Sequence, residues 1–364
     1  MKITEFESRI VGVPLDEPLA DGPTPKGVTQ NFVTLRLRTD EGVEGIGITY
    51  FGGGTMSAAL KAAVDGLSGL TVGENPLRIE AIVHKLRTAA MQSGPGGIFT
   101  LALSAIDIAL WDIRGKVLNQ PVSRLLGGFR ETVPTYASGA LMRGFPLAHV
   151  EKAAARLVER GFKQMKTQLA LPGDTNPALE VERMRVVRNA VGPTIDVMCD
   201  INQRWDVRQA ISIGRQVEEY NLFWLEDVVA HDDYPGLAAV ADALATPVAA
   251  GEYVYGLVPF RHMLEARSVD IVMVDVLRAG GISQWVKIAG LAEAFNLPIV
   301  NHLCPEISVH LVAAVPNGLT VEYMPWSSKL YKQVPQAEKG MLTVPGAPGL
   351  GLEFDPEAFK RWGV

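Results

Sequence analysis

Two cysteines in 364 residues, Cys199 and Cys304, are too few to build a disulfide framework, which makes a reducing cytoplasm the expected setting. Strong charge of one sign is also missing. Thirty-four Lys and Arg stand against 40 Asp and Glu, and a net charge of −6 argues against a nucleic-acid partner. No apolar run reaches membrane-spanning length, because even FTLALSAIDIALWDI is interrupted at Asp107 and Asp112. The opening MKITEFESRIVGVPL lacks the continuous apolar core of a signal peptide. A Gly-rich fingerprint after an early strand is absent too, which removes the main sign of a doubly wound dinucleotide-binding sheet.

What is present is a hydrophobic fraction of 48% in a chain too long for one small core and long enough for a large domain with a smaller partner. The first third reads as antiparallel strands followed by helices. NFVTLRLRTDEGVEGIGITY alternates Val33, Leu35 and Leu37 with Thr34, Arg36 and Arg38, and Asp40-Glu41-Gly42 suits a hairpin turn. Leu103, Ile106, Leu110 and Ile113 fall at helical spacing within 101–116. Gly127-Gly128 marks a hinge, after which the texture changes. Eight short β-rich runs follow (VPTYA, FKQMKTQ, IDVMCD, LFWLE, PVAAGE, IVMVD, PIVNH and LTVE), most of them separated by helical stretches. This pattern predicts a (β/α)₈-type barrel. The Pro/Gly-rich tail from about Val334 is expected to return and pack on the first domain.

Five of the runs end in an ionisable residue: Asp200, Glu226, Glu252, Asp275 and His302. They recur at roughly 25-residue spacing, close to the roughly 30 residues of one βα unit, so successive strands would deliver them to the C-terminal rim where barrels carry their chemistry. Any one such acid could be a solvated loop residue, but three in regular register behind apolar strands favour a site. Carboxylates from Asp200, Glu226 and Glu252 make an all-oxygen cluster suited to Mg²⁺, with places left for water or substrate. Zinc is disfavoured because no Cys or His pair stands at ligand spacing. Lys166 and Gln168, two apart at the end of GFKQMKTQLA, share one face of their strand, whereas Lys163 points to the other.

At these residues the sequence resembles the enolase superfamily, and most closely its mandelate racemase/muconate lactonizing enzyme-like branch. The resemblance rests on LSAIDIALWDIRGK, GFKQMKTQ, CDINQRW, FWLEDV, AAGE, VDVLRAGG, NHLCPEISVHL and VEY at 321–323. It implies an N-terminal α+β capping domain over residues 1–127, completed by 335–364, and a catalytic barrel over 128–334. It also implies Asp200, Glu226 and Glu252 as magnesium ligands, Asp275 and His302 as a paired base, and Glu322 as a hydrogen-bonding partner of a substrate carboxylate. Capped barrels of this kind are frequently homo-oligomers, and the partner implied is a small-molecule carboxylate.

Relatives carry Lys-x-Lys where this chain has Lys166-Thr167-Gln168. Lys166 keeps the position assigned to offsetting the substrate's charge, while Gln168 cannot take up a proton at physiological pH and is expected to orient a substrate hydroxyl. His302 then acts as the single base. One base suits dehydration of a sugar acid to a 2-keto-3-deoxy acid, with protonated His302 serving the leaving hydroxide. Racemisation, epimerisation or cycloisomerisation with Lys166 as an unconventional base is the alternative, and a non-catalytic metal- or ligand-binding barrel is the reading of another class. Asn202 supports the metal or the substrate, or caps a turn. Arg278 lowers the pKa of Asp275 or is a surface charge. Asp227 and Val228 sit where relatives often show Glu-Pro. Lys26 in LADGPTPKG and Tyr50 in TYFGGGT are candidates for touching substrate from the cap loops.

Overall fold

The computed structural model describes residues 1–15, 19–22, 28–51, 54–171 and 176–364. Three antiparallel strands come first, β1 (Ile3–Pro14), β2 (Thr29–Thr39) and β3 (Glu44–Thr49), in the order β1-β2-β3. The expected hairpin joins β2 to β3, with Gly42 at φ 76° in its turn. Val33, Leu35 and Leu37 are buried, while Arg36 and Arg38 reach round to Glu44. Strand β1, which the sequence reading did not single out, is an edge strand paired along its length with β2.

Helices α1 (Ser57–Gly69), α2 (Ile79–Ala89) and α3 (Gly97–Val117) follow. Helix α3 lies directly on β3. A Cβ at Gly45 would stand 2.2 Å from the Ala109 carbonyl oxygen, and one at Gly47 would stand 2.0 Å from that of Ala105. Alternate glycines therefore let helix and strand backbones touch. The two acids that break the apolar run of α3 are fully buried. Asp107 Oδ1 accepts from Ser283 N in the barrel (2.9 Å), and Asp112 accepts from Ile46 N, Lys116 Nζ and Leu350 N.

The eight β-rich runs all form strands: β4 (Thr132–Leu141), β5 (Gln164–Gln168), β6 (Asp196–Asp200), β7 (Trp224–Glu226), β8 (Val248–Ala250), β9 (Ile271–Asp275), β10 (Ile299–His302) and β11 (Val321–Tyr323). They are parallel neighbours in the order β11-β4-β5-β6-β7-β8-β9-β10. The remaining gap, between β10 and β11, is bridged at Ile299↔Gly318 and by Asn301 Oδ1 accepting from Glu322 N (2.8 Å), which closes the ring into a (β/α)₈-type barrel. The tail contributes β12 (Met341–Thr343), antiparallel to β4, and then bridges Val11 through Gly363. The tail therefore contacts both the barrel and the first sheet.

Alternation along the strands sets the interior. Tyr136, Met198, Trp224, Ala249, Ile271, Met273 and Val300 fill the barrel with a separate apolar cluster. Two residues further along, the same inward phase carries Asp200 on β6 and Glu226 on β7, so the charged rim stands on a packed hydrophobic floor. Cys199, one residue out of phase, is buried on the helix side.

Candidate active site

Register brings the expected residues to one level. Gln168 pairs with Asp200, Asp200 with Glu226, and His302 with Asp275. Glu252 lies two residues beyond the end of β8, and Glu322 is the middle residue of β11. These strand ends surround a cavity of about 480 Å³, lined among others by Lys166, Gln168, Asp200, Asn202, Glu252, Arg278, His302 and Glu322, with Tyr50 reaching in from the first sheet. Many of the residues just past the strand ends hold left-handed backbones, namely Ala170, Asn202, Gln203, Asp227, Leu303 and Cys304. Such conformations cost about 1–3 kcal/mol each in non-glycine residues and concentrate where a loop must aim side chains.

His302 Nδ1 lies 2.7 Å from Asp275 Oδ2. A carboxylate only accepts, so Nδ1 carries the hydrogen and Nε2 is the basic nitrogen. Nε2 faces Glu252 Oε2 at 3.4 Å. Burial acts to lower the His302 pKa, but Glu252, Asp275 and Glu322 outweigh it and raise it to about 9. Asp275 is fixed in turn by Leu277 N (2.8 Å), Arg278 N (2.9 Å) and the Arg278 guanidinium (3.4 Å). Its burial would raise its pKa, yet Arg278 and His302 hold it below the ordinary carboxylate range. Arg278 is thus not a free surface charge: it is half-buried, donates to the Glu252 carbonyl (3.0 Å) and packs over the Tyr253 ring.

Lys166 Nζ donates to Glu226 Oε1 (2.6 Å) and to Glu322 Oε1 (2.8 Å). Burial opposes its charge, but the two carboxylates dominate and keep the ammonium protonated well above its usual range. Glu322 also accepts from Ser138 Oγ (2.8 Å) and Leu303 N (2.7 Å). Despite burial, Lys166 and His302 pull its pKa below the ordinary value. Gln168 is committed at both ends of its amide. Oε1 accepts from Arg143 N (3.2 Å), and Nε2 donates to Asp200 Oδ2 (3.2 Å) and Asn202 Oδ1 (3.3 Å). Asn202 N donates to Asp200 Oδ1 (2.8 Å), and Asn202 Oδ1 also accepts from Arg143 Nη2, so Asn202 and Gln168 together orient Asp200. Tyr50 is buried with its ring edge-on to Phe32. Lys26 lies outside the described residues.

Among the described residues, Asp200, Glu226 and Asp227 each offer a carboxylate oxygen, and the three oxygens lie within 4.8 Å of one another. Glu252 borders the same cavity from the next strand. Burial, reinforced by neighbouring acids, pushes Glu226 up to about 7 and Asp227 and Glu252 well above the carboxylate range. Crowded, buried carboxylates with only oxygen donors fit a hard divalent cation such as Mg²⁺, whose charge would offset theirs.

Sequence reasoning did not single out Arg143, Arg204, Tyr253 or Ser138. The run VPTYA stopped at Ala137, whereas β4 continues through Gly139 (φ 98°) to Leu141 and places Arg143 beside the site. Gly139 was the signal for a bent strand. Arg204 is exposed at the cavity mouth, two residues past Asn202.

Residues 14–127 match the family described as mandelate racemase/muconate lactonizing enzyme, N-terminal domain, and residues 149–358 match enolase C-terminal domain-like. The chain is 32% identical to an L-talarate/galactarate dehydratase of Salmonella typhimurium, over 96% of this chain and 88% of that one. It is 31% identical to a 3,6-anhydro-alpha-L-galactonate cycloisomerase of Streptomyces coelicolor, over 100% and 99%. The crystal structure of L-talarate dehydratase from Polaromonas sp. JS666, complexed with Mg and L-glucarate, superposes with a TM-score of 0.90 at 30% identity, covering 100% of this chain and 97% of that one.

Proposed function

This chain belongs to the enolase superfamily, in its mandelate racemase/muconate lactonizing enzyme-like branch, and we propose that it is a magnesium-dependent acid-sugar dehydratase working through a single base. Residues 1–127 with the return of 335–364 would form its cap, and residues 128–334 its catalytic barrel. Asp200, Glu226 and Glu252 would hold the cation. When bound, the ion supplies Lewis-acid stabilisation for the negative charge that grows on the substrate carboxylate.

The rest of the reaction is the work of this chain's side chains. The Lys166 ammonium, fixed between Glu226 and Glu322, offsets the charge of the substrate carboxylate. Neutral His302, which would be favoured once a bound cation offsets the Glu252 charge that raises its pKa, takes through Nε2 the proton from the carbon α to that carboxylate, and the electron pair moves into an ene-diolate. Asp275 keeps Nδ1 hydrogen-bearing and stabilises the imidazolium that forms. The carbon–oxygen bond at the next carbon then breaks. His302 returns its proton to the departing hydroxyl, water leaves, and the enol rearranges to a 2-keto-3-deoxy acid. Ionised Glu322 has no hydrogen to donate to a substrate carboxylate; its part is to hold Lys166.

The observation that carries this reading is the hydrogen-bonded His302–Asp275 pair opposite a lysine locked as a cation, with an amide at residue 168. Across such a site a proton is removed from one face only. The near full-length likeness to a cycloisomerase favours a second reading, in which the same α-proton abstraction expels a ring ether oxygen in place of hydroxide. A 2-keto acid assay across aldonic, uronic, aldaric and 3,6-anhydro sugar acids, with magnesium present, separates the two. His302→Asn is expected to lower kcat by at least about 10²-fold, the lower bound of a general acid–base contribution. Turnover equal to that of the parent would overturn the one-base mechanism. A cytoplasmic location and a homo-oligomeric state accompany the proposal, and size-exclusion chromatography with light scattering tests the latter.

A further inference from the structure

Asp227 follows Glu226 at the end of β7, and in a continued strand its side chain would point away from the barrel axis, opposite to Glu226. It does not continue the strand. Its φ is 47°, a left-handed backbone that a non-glycine residue adopts only when its surroundings hold it there. Two backbone bonds do so: Asp227 N donates to Ala249 O (2.9 Å) and Asp227 O accepts from Gln203 N (2.7 Å). The turn brings a carboxylate oxygen of Asp227 within 4.8 Å of oxygens of both Asp200 and Glu226.

Both side-chain oxygens of Asp227 are buried and have no hydrogen-bond partner among the described residues, and the residue is 1% exposed. The other acids of the site have partners: Asp200 has Gln168 and Asn202, Glu226 has Lys166 and Trp224, Asp275 has Arg278 and His302, Glu322 has Lys166 and Ser138, and Glu252 faces His302 Nε2 at 3.4 Å. A buried, unpaired carboxylate is costly. The conformation that presents Asp227 to Asp200 and Glu226 is therefore unfavourable unless a cation joins them.

We propose that Asp227 belongs to the divalent-cation site, supplying a further anionic oxygen to the ion or to a water bound to it. This rests on the metal site proposed above and adds to Asp200, Glu226 and Glu252 a residue that fixes how tightly and in what position the ion is held. Asp227 acts through the ion, so it is a positioning residue.

The test is the dissociation constant of Mn²⁺, followed by its electron paramagnetic resonance signal, for the parent, Asp227→Asn and Asp200→Asn. Asp227→Asn is expected to weaken Mn²⁺ binding by about 10–100-fold, the range typical of residues that support a metal's ligands. The rise in melting temperature produced by Mg²⁺ should shrink in parallel. Parent-like affinity in Asp227→Asn together with lost affinity in Asp200→Asn would overturn this inference and leave the metal site standing. No Mn²⁺ binding by the parent would overturn both. A crystal structure of the Mn²⁺-loaded parent needs no variant. An Asp227 oxygen on the ion or on one of its waters supports the proposal, and an Asp227 side chain turned onto a protein donor overturns it.

Discussion

Lys166 shows how a single side chain can be excluded from one role by the partners that fit it for another. Two carboxylates within 2.8 Å hold its proton, which makes it a fixed positive charge and a poor base. Removing it leaves Glu226 and Glu322 buried without their counter-ion. Lys166→Met is therefore expected to cost about 3–5 kcal/mol of stability in magnesium-free buffer, the range for breaking a buried pair from one side. Urea unfolding would measure this, and an unchanged midpoint would mean that the pair does not exist in solution. The departure at Gln168 was legible in the sequence, because a period of two places residues 166 and 168 on one face. What was not legible is where its amide is spent. The sequence suggested a substrate hydroxyl; Gln168 lines the cavity, and in this structure its amide also accepts from Arg143 N and donates to Asp200 and Asn202. Those partners come from other loops, and no local pattern announces them.

At the scale of elements, strands were easier to read than the contacts between layers. The β-rich runs mark the barrel strands because each is short, apolar and bounded by turn residues. Yet β8 stops at Ala250, and Glu252 enters the cavity from the loop beyond it, a distinction of two residues that composition does not resolve. Asp107 and Asp112 were visible as interruptions in an apolar helix, and no helix among the described residues is long and apolar enough to cross a membrane. Their use as buried ties to Ser283 and to Leu350 depends on elements far away in sequence. The alternate glycines of EGIGIT carry a more local message. Gly47→Ala would drive a methyl group into the Ala105 carbonyl of α3. The expected penalty is about 1–3 kcal/mol, as for overpacking a close-packed interface. A melting temperature equal to that of the parent would show that α3 can move away from β3 freely.

For the molecule as a whole, the joins between barrel, tail and cap set the response to acid. His310 is fully buried in the helix 305–314. Its Nε2 donates to Leu350 O (3.0 Å) in the tail, and its Nδ1 accepts from Ser123 N (3.4 Å). Burial lowers its pKa to about 4, while the unfolded value is about 6.5. Between those values the unfolded chain binds more protons than the folded one. The contribution of His310 is therefore complete above about pH 6.5 and is lost as pH falls towards 4, by up to about 3 kcal/mol. His310→Gln should flatten the acid limb of urea midpoints measured from pH 7.5 to pH 4.5. A limb as steep as the parent's would assign the acid sensitivity to other groups.

The seam between β10 and β11 has a consequence of its own. Elsewhere around the ring, neighbouring strands share a ladder of backbone bonds, but here such bonds sit only at the lower edge, through Ile299, and the upper edge is fastened by side chains, the amide of Asn301 accepting from Glu322 N and the Glu322 carboxylate accepting from Leu303 N. The histidine and Glu322 stand on opposite sides of that fastening. A structure that loosens first at its least stitched place would part there, so the distance between the proton acceptor and the anchor of the lysine is governed by two bonds, one of them from a neutral side chain that does not line the cavity.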